Sequence, residues 1–273
     1  MPPSGSTTTC SPMDWRDTGF VLGARRHGES ALVVELFTGE HGRHAGLVRG
    51  GQSPRRRALL QPGNRVMAHW RGRLAEHLGA FDVELAEAHA ARLLDDPDRL
   101  AALAAATALL AKALPEREPH PDLYAGFAEL VTALAAPVPG EPEGRTGVDS
   151  PAWAAAYVAW ECHLLAGLGF GLDLGRCAAT GSNEDLAYVS PRSGRAVSRE
   201  AGQPYRDKLL PLPEFLWRDA PAGADDIVAG LILTRHFLLH HLCEPQGGRL
   251  PEARERLVER LRRHAASGMI GGP

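Results

Sequence analysis

Lysine is almost absent from this chain of 273 residues, which contains Lys112 and Lys208 and no other. Arginine and alanine are abundant instead, a bias typical of a GC-rich genome, so the use of arginine in place of lysine says nothing about chemistry. Cysteine is scarce as well. The four cysteines are Cys10, Cys162, Cys177 and Cys243. They have no paired spacing, which argues against a disulfide framework and indicates the reducing cytoplasm.

Long apolar runs and catalytic motifs are also missing. No apolar run near the N-terminus is long enough for a signal peptide or a membrane span, so we expect a cytoplasmic protein with no membrane partner. The sequence has no phosphate-binding loop, no GxGxxG after a strand, no GxSxG, and no pair of carboxylates in a plausible catalytic setting. We therefore expect no catalytic residue, no cofactor and no enzymatic activity.

Positive charge is concentrated in the N-terminal third, although the whole chain has a formal net charge of −3. From Asp14 to Arg73 there are eleven arginines and five acidic residues, an excess of six positive charges, and the sign reverses from Leu74 to Leu100. The densest part is Arg49-Gly-Gly-Gln-Ser-Pro-Arg-Arg-Arg57, which we interpret as a glycine-rich turn followed by three arginines. Adjacent guanidinium groups repel one another, and a bound polyanion would offset that repulsion. A solvated basic loop is the alternative interpretation.

Short strands are predicted around this basic turn. The segments are 19–23, 31–37, 44–48, 65–73 and 78–85, most of them bounded by glycine turns. In 65–73 the residues alternate, so that Val66, Ala68 and Trp70 share one face and Arg71 and Arg73 lie on the other. Trp70 is thus assigned to the core rather than to a base-stacking platform. Five short strands in some 75 residues predict a small closed barrel of the OB type.

The period becomes helical near residue 86, which makes this an α+β protein. Helices are predicted at 92–114, 123–134, 153–168, 225–243 and 251–264. The predicted domains are a disordered tail at 1–12, an OB-type barrel at 13–90, an all-α helical domain at 91–172 and 218–266, and a small irregular insert at 173–217. A Pro/Gly-rich linker is expected at 136–151.

A series of short motifs is spread from Trp15 to His264. They are Trp15-Arg-Asp-Thr-Gly-Phe-Val-Leu22 with Glu29-Ser30, the basic turn, Leu60-Gln-Pro-Gly63, Trp70-Arg-Gly-Arg73, Leu78-Gly-Ala-Phe81, Gly167-Leu-Gly-Phe170, Pro191-Arg-Ser-Gly194 and Leu250-Pro-Glu-Ala-Arg254. No single piece is diagnostic, but their order is specific, and it resembles the RecO family of bacterial recombination mediators.

This resemblance implies an OB domain, a helical domain and an insert that in some members binds zinc through four cysteines. Here Cys177 is followed by Thr180 where the second cysteine would stand, and the second pair would fall near Ser198 and Ala201. One thiolate cannot hold a tetrahedral zinc. We therefore expect a zinc-ribbon-like but metal-free insert, held instead by the packing of Leu186, Tyr188 and Val189.

The resemblance also implies a function in DNA repair and recombination, in the RecF pathway after DNA damage, with a nucleoid-associated location. The implied activities are binding of single- and double-stranded DNA, annealing of complementary strands, and loading of RecA with RecR onto DNA coated by single-strand-binding protein (SSB). The predicted DNA-binding residues are Arg25, Arg26, Arg49, Arg55, Arg56, Arg57, Arg71 and Arg73. Arg254, Arg256 and Arg260 are candidates for the SSB C-terminal tail, against the simpler interpretation of a solvated helix face.

Two alternatives stay open on the sequence alone. The first is an RNA-binding OB protein of translation or RNA processing. The second is a metal-dependent enzyme using His236, His240 and Cys243, because the two histidines have the i, i+4 spacing of a helical zinc pair. Histidines on an apolar helix are more often structural, so we expect no metal site there.

Overall fold

The computed structural model describes residues 13–74, 76–136, 152–244 and 248–267. The predicted tail at 1–12 and nearly all of the predicted linker lie outside the described residues. The chain divides into two compact units, one formed by residues up to 88 together with 114–119, the other by the remainder.

The first unit is a closed five-stranded barrel, as the sequence predicted. Its strands are β1 (Met13–His27), β2 (Ala31–Thr38), β3 (Gly42–Val48), β4 (Arg65–Gly72) and β5 (Ala80–Glu87), with the short helix α1 (Pro54–Leu59) between β3 and β4. Their order around the barrel is β1-β2-β3-β5-β4, with antiparallel pairs except for the parallel contact of β3 with β5. This is the arrangement of an OB fold.

β1 is far longer than predicted because it forms hydrogen-bonded pairs with two neighbouring strands. Its first half pairs with β4 and its second half with β2, and the register shifts between Val21 and Gly23. A bulge of this kind bends a strand, so one strand can close the barrel. The first half of β1 was not predicted as a strand because its residues, such as Arg16 and Asp17, are largely polar.

Alternating side chains fill the barrel interior. The core includes Val21, Val34, Leu36, Val48, Val66, Ala68, Trp70, Phe81 and Val83. Trp70 is 1% exposed, which confirms its assignment to the core, and its indole N–H donates to the carbonyl of Leu78 at 3.1 Å. The residues 114–119 pack on the outside of the barrel near Gly42, where a side chain would collide with the Glu118 backbone.

The second unit is helical. It contains α2 (His89–Arg92), α3 (Pro97–Ala113), α4 (Pro121–Ala135), α5 (Ala152–Gly167), α6 (Arg199–Gly202), α7 (Ala224–Leu238) and α8 (Glu252–Ala266). α3 packs on α8, α4 on α5, and α5 on α7. Within the described residues, no helix is long and apolar enough to cross a membrane.

The insert is more regular than predicted. It carries a three-stranded antiparallel sheet of order β7-β6-β8, formed by β6 (Leu186–Val189), β7 (Ala196–Ser198) and β8 (Leu210–Pro211). Strands of two to four residues are too short to give a readable alternation, which is why the sequence suggested an irregular segment. Leu186 and Val189 are buried, as expected.

Candidate nucleic-acid interface

Strand register brings three of the predicted arginines to one end of the barrel. Arg26 is paired with Leu32, and Leu32 is paired with Val48 on the next strand. Arg49 follows Val48 directly, and Arg25 precedes Arg26. Paired residues on adjacent antiparallel strands lie about 5 Å apart, so Arg25, Arg26 and Arg49 lie close together at this end of the barrel, and all three are exposed.

The three consecutive arginines lie on a helix, which corrects the predicted turn. Pro54 occupies the first turn of α1, after an extended Ser53. Successive helix positions are about 100° apart, so the three side chains fan outwards, with Arg55 and Arg57 exposed and Arg56 half-buried. Six residues are too few for apolar periodicity, but serine followed by proline is a recognised start of a helix and was overlooked.

Gln52, which lies just before this helix, forms hydrogen bonds with the turn between β1 and β2. Its backbone N–H donates to the Ser30 carbonyl at 3.1 Å, and its side-chain amide donates to the carbonyls of Gly28 at 3.0 Å and Ala31 at 3.2 Å. At the other end of α1, the Asn64 side chain donates to the carbonyls of Ala58 and Leu59. The two arginine groups are thereby held in a fixed relation to each other. Sequence reasoning missed both amide residues.

We call the set Arg25, Arg26, Arg49, Arg55, Arg56 and Arg57 the basic end. Glu29 is the one acidic residue in segments 24–30 and 49–58. In the described part of the chain none of the six arginines forms an ion pair, whereas Arg43 and Arg65 of the same barrel pair with Glu35 and Glu87. The basic end therefore has positive charge that the fold does not use internally.

Arg71 and Arg73 border the basic end across β5. Arg71 is paired with Ala80, and Ala80 is paired with Leu47, two residues before Arg49. Adjacent strands lie about 5 Å apart and residues about 3.3 Å apart along a strand, so Arg71 lies within about 20 Å of Arg49. Both arginines are exposed.

Arg254 does not line a surface groove, which corrects its place among the partner candidates. Its guanidinium donates to both carboxylate oxygens of Glu161, at 2.7 and 2.8 Å, and neither side chain is exposed. Burial opposes the charge on Arg254, but the attraction of Glu161 outweighs it and raises the pKa. In a sequence, an arginine facing a buried acid looks the same as one facing water.

The other two candidates on α8 differ from each other. Arg256 is exposed and pairs with Glu252 at 2.7 Å along the helix. Arg260 is half-buried and donates at 2.6 Å to Asp98, which is itself buried and also lies 3.2 Å from His264. Of the three predicted residues, Arg256 alone is available to a partner without disturbing the packing of α3 on α8.

The histidine cluster has structural contacts. His236 Nε2 lies 3.1 Å from the Pro191 carbonyl, His240 Nδ1 lies 2.8 Å from Glu244, and Cys243 is fully buried. Among the described residues, no group of three His, Cys, Asp or Glu side chains is arranged to hold a metal ion. The structure gives the metal-dependent enzyme no support.

The zinc-ribbon-like insert uses hydrogen bonds where thiolates would bind zinc. The Ser198 N–H donates to Cys177 Sγ at 3.2 Å, and the Ser198 hydroxyl lies 3.4 Å from the same sulfur. Burial opposes ionisation of Cys177, but the hydrogen bonds with Ser198 and Thr180 outweigh it and lower its pKa to about 6. One thiol, two hydroxyls and a methyl group at Ala201 do not make a zinc site.

Comparison with known proteins covers both units. Residues 13–89 match the family model described as Recombination protein O N terminal, and residues 94–249 match Recombination protein O C terminal. DNA repair protein RecO of Rhodospirillum centenum is 52% identical over 264 residues, which cover 96% of this chain and 100% of that protein. DNA repair protein RecO of Rhodospirillum rubrum is 53% identical over 257 residues, covering 93% and 99%. The chain therefore belongs to the RecO family of DNA repair proteins, whose members are non-enzymatic mediators of recombination.

Proposed function

We propose that the chain binds single- and double-stranded DNA through the basic end and anneals complementary strands. The observation that carries this proposal is the absence, in the described part of the chain, of any carboxylate partner for the six arginines. Unpaired guanidinium groups bind phosphates by releasing the counterions condensed on the DNA, a gain that does not depend on sequence. The family also favours DNA over the RNA-binding alternative.

Annealing needs no catalytic group. Two complementary strands repel each other through their phosphates, and arginines that neutralise phosphates on both strands lower that repulsion. The bases then supply the free energy of pairing. The fixed position of α1 on the β1–β2 turn supports this role, because a preorganised surface loses less conformational entropy when it binds. Arg71 and Arg73, which border the basic end across β5, are proposed as further phosphate contacts.

Annealing of two complementary oligonucleotides, one carrying a donor dye and the other an acceptor, tests the proposal. We expect the wild-type protein to accelerate annealing at low salt and the triple variant Arg55→Ala, Arg56→Ala, Arg57→Ala to lose most of the acceleration. The control is the triple variant Arg192→Ala, Arg195→Ala, Arg199→Ala, which removes the same charge from three exposed arginines of the insert. Equal loss in both variants would mean that total charge, and not the basic end, governs annealing.

We further propose that the protein acts with RecR to load RecA onto SSB-coated DNA and that the helical unit binds the acidic SSB tail. Arg256 is the candidate contact that remains after the burial of Arg254 and the pairing of Arg260 with Asp98. Arg256→Glu should weaken binding of an SSB-tail peptide and leave DNA affinity unchanged. Arg199→Glu is the matched control, since Arg199 is also exposed and has one surface carboxylate partner. If Arg256→Glu binds the peptide as wild type does, the tail site lies elsewhere.

A further inference from the structure

A pocket of about 330 Å³ opens within the basic end. Its apolar wall is formed by Ala24, Leu32, Leu60 and Pro62, contributed by β1, β2 and the segment after α1. At this volume it lies at the small end of the range for ligand sites, about 300–1,000 Å³. All of its walls belong to the barrel unit.

The polar residues of the pocket offer both donors and acceptors. Arg26 and Arg57 supply guanidinium donors, and in the described part of the chain neither forms an ion pair. The side-chain amide of Gln52 donates to the carbonyls of Gly28 and Ala31, and that of Gln61 donates to the Arg57 carbonyl at 3.1 Å. The side-chain carbonyl oxygens of both glutamines are therefore left as acceptors.

This combination matches a nucleotide better than a bare anion. An inorganic phosphate has strong acceptors and would use the arginines, but it has no use for an apolar wall or two amide oxygens. A nucleobase has an apolar face and a Watson–Crick edge with both donors and acceptors, and the phosphate of the same nucleotide suits an arginine. Pairing and stacking in a duplex hide the Watson–Crick edge and the faces, so the ligand has to be unpaired.

The walls of the pocket are held in place from both sides. Gly63 N–H donates to the Val21 carbonyl at 2.8 Å, and Val21 N–H donates to the Asn64 carbonyl at 2.9 Å, which ties the segment after α1 to β1. Gln52 ties the segment before α1 to the β1–β2 turn. A pocket formed in this way exists before the ligand arrives, as small-molecule sites usually do.

We propose that this pocket receives one unpaired nucleotide of a DNA strand bound across the basic end. The proposal rests on the proposed DNA surface and adds to it a site for a base. Holding one base out of the stack keeps a strand from folding on itself and leaves its neighbours open to pair.

The test uses strands that differ in one base and in nothing else. One strand has about 12 abasic sugar-phosphate units, within the roughly 4–16 nucleotides usual for an OB fold, and the other carries a single adenine at its centre. Both have the same phosphates, so the salt dependence of binding should be the same. We expect the wild-type protein to bind the strand with adenine about tenfold more tightly, measured by fluorescence anisotropy.

Ala24→Leu fills the pocket without changing charge and should abolish the gain from adenine, while the affinity for the abasic strand stays as in wild type. Ala86→Leu is the matched control, an exposed alanine of β5 outside the pocket, and should keep the gain. Gln61→Leu, at an exposed position, should reduce the gain and serves as the second variant should Ala24→Leu misfold. A gain that persists in the pocket variants, or no gain in wild type, overturns the proposal. Failure of wild type to bind either strand would instead overturn the proposed DNA surface, and the pocket with it.

Discussion

Replacement of Arg254 by methionine would remove one partner of a fully buried ion pair. Arg254 contacts Glu161 through two hydrogen bonds, and its Nη2 also donates to the Leu231 carbonyl and lies 3.1 Å from the Thr234 hydroxyl. Thr234 in turn contacts the same Glu161 carboxylate. These residues join α5, α7 and α8 in the centre of the helical unit.

The expected cost follows from what is left behind. Without Arg254, the Glu161 carboxylate is buried with no cation beside it, and loss of one partner of such a pair costs about 3–5 kcal/mol. A typical domain has a total stability of about 5–15 kcal/mol. The double variant Arg254→Met, Glu161→Leu should recover most of the loss, because apolar replacement of both partners is often nearly neutral. Thr234 stays satisfied there by the Gly230 carbonyl at 3.1 Å.

Urea unfolding of the full-length protein, followed by circular dichroism, measures these differences. Arg256→Met on the exposed side of the same helix is the control and should change stability by less than about 0.5 kcal/mol. The reasoning is refuted if Arg254→Met lies within about 1 kcal/mol of wild type, or if the double variant is as unstable as the single one.

Two further predictions concern single side chains. His44 is 4% exposed and packs against Trp15, Trp70 and Phe81. In the described structure neither of its ring nitrogens has a hydrogen-bond partner. Burial, with Arg117 and His41 nearby, lowers its pKa from 6.5 to about 4. The native state thus disfavours protonation, so His44 should cost up to about 3 kcal/mol of stability as the pH falls from 6.5 to 4. His44→Phe should flatten urea-unfolding stability over that range, and an unchanged pH dependence would contradict this. Cys177→Ser should change the free energy of unfolding by no more than about 1 kcal/mol, because a hydroxyl can keep the contact with Ser198. Elemental analysis that finds one tightly held zinc per chain would contradict the metal-free insert.

The barrel could be predicted because its signals are local. Alternation in 65–73 identified the inward face of β4, including Trp70, and glycine turns separated the strands. The first half of β1 could not be found in this way. Its residues are held by pairing with β4, a contact between distant segments that composition does not reveal.

The candidate site was predicted in its residue types and not in its geometry. A sequence can show that Arg25 and Arg57 are basic, but their common position depends on the register of three strands and on Gln52. The same limit hid the burial of Arg254. The pocket at Ala24 and Gln61 joins segments more than thirty residues apart, and no local pattern marks it.

The most direct test of the proposed DNA surface is the slope of log affinity against log salt for duplex and single-stranded DNA. If Arg55, Arg56 and Arg57 each contact a phosphate, their replacement by alanine should reduce the magnitude of the slope by about 2.7 on duplex and about 2.1 on single strands, from about 0.9 and 0.7 per contact. The control variant Arg192→Ala, Arg195→Ala, Arg199→Ala should keep the wild-type slope. An unchanged slope and affinity in the α1 variant, with DNA still bound, would contradict the assignment of the basic end as the DNA contact.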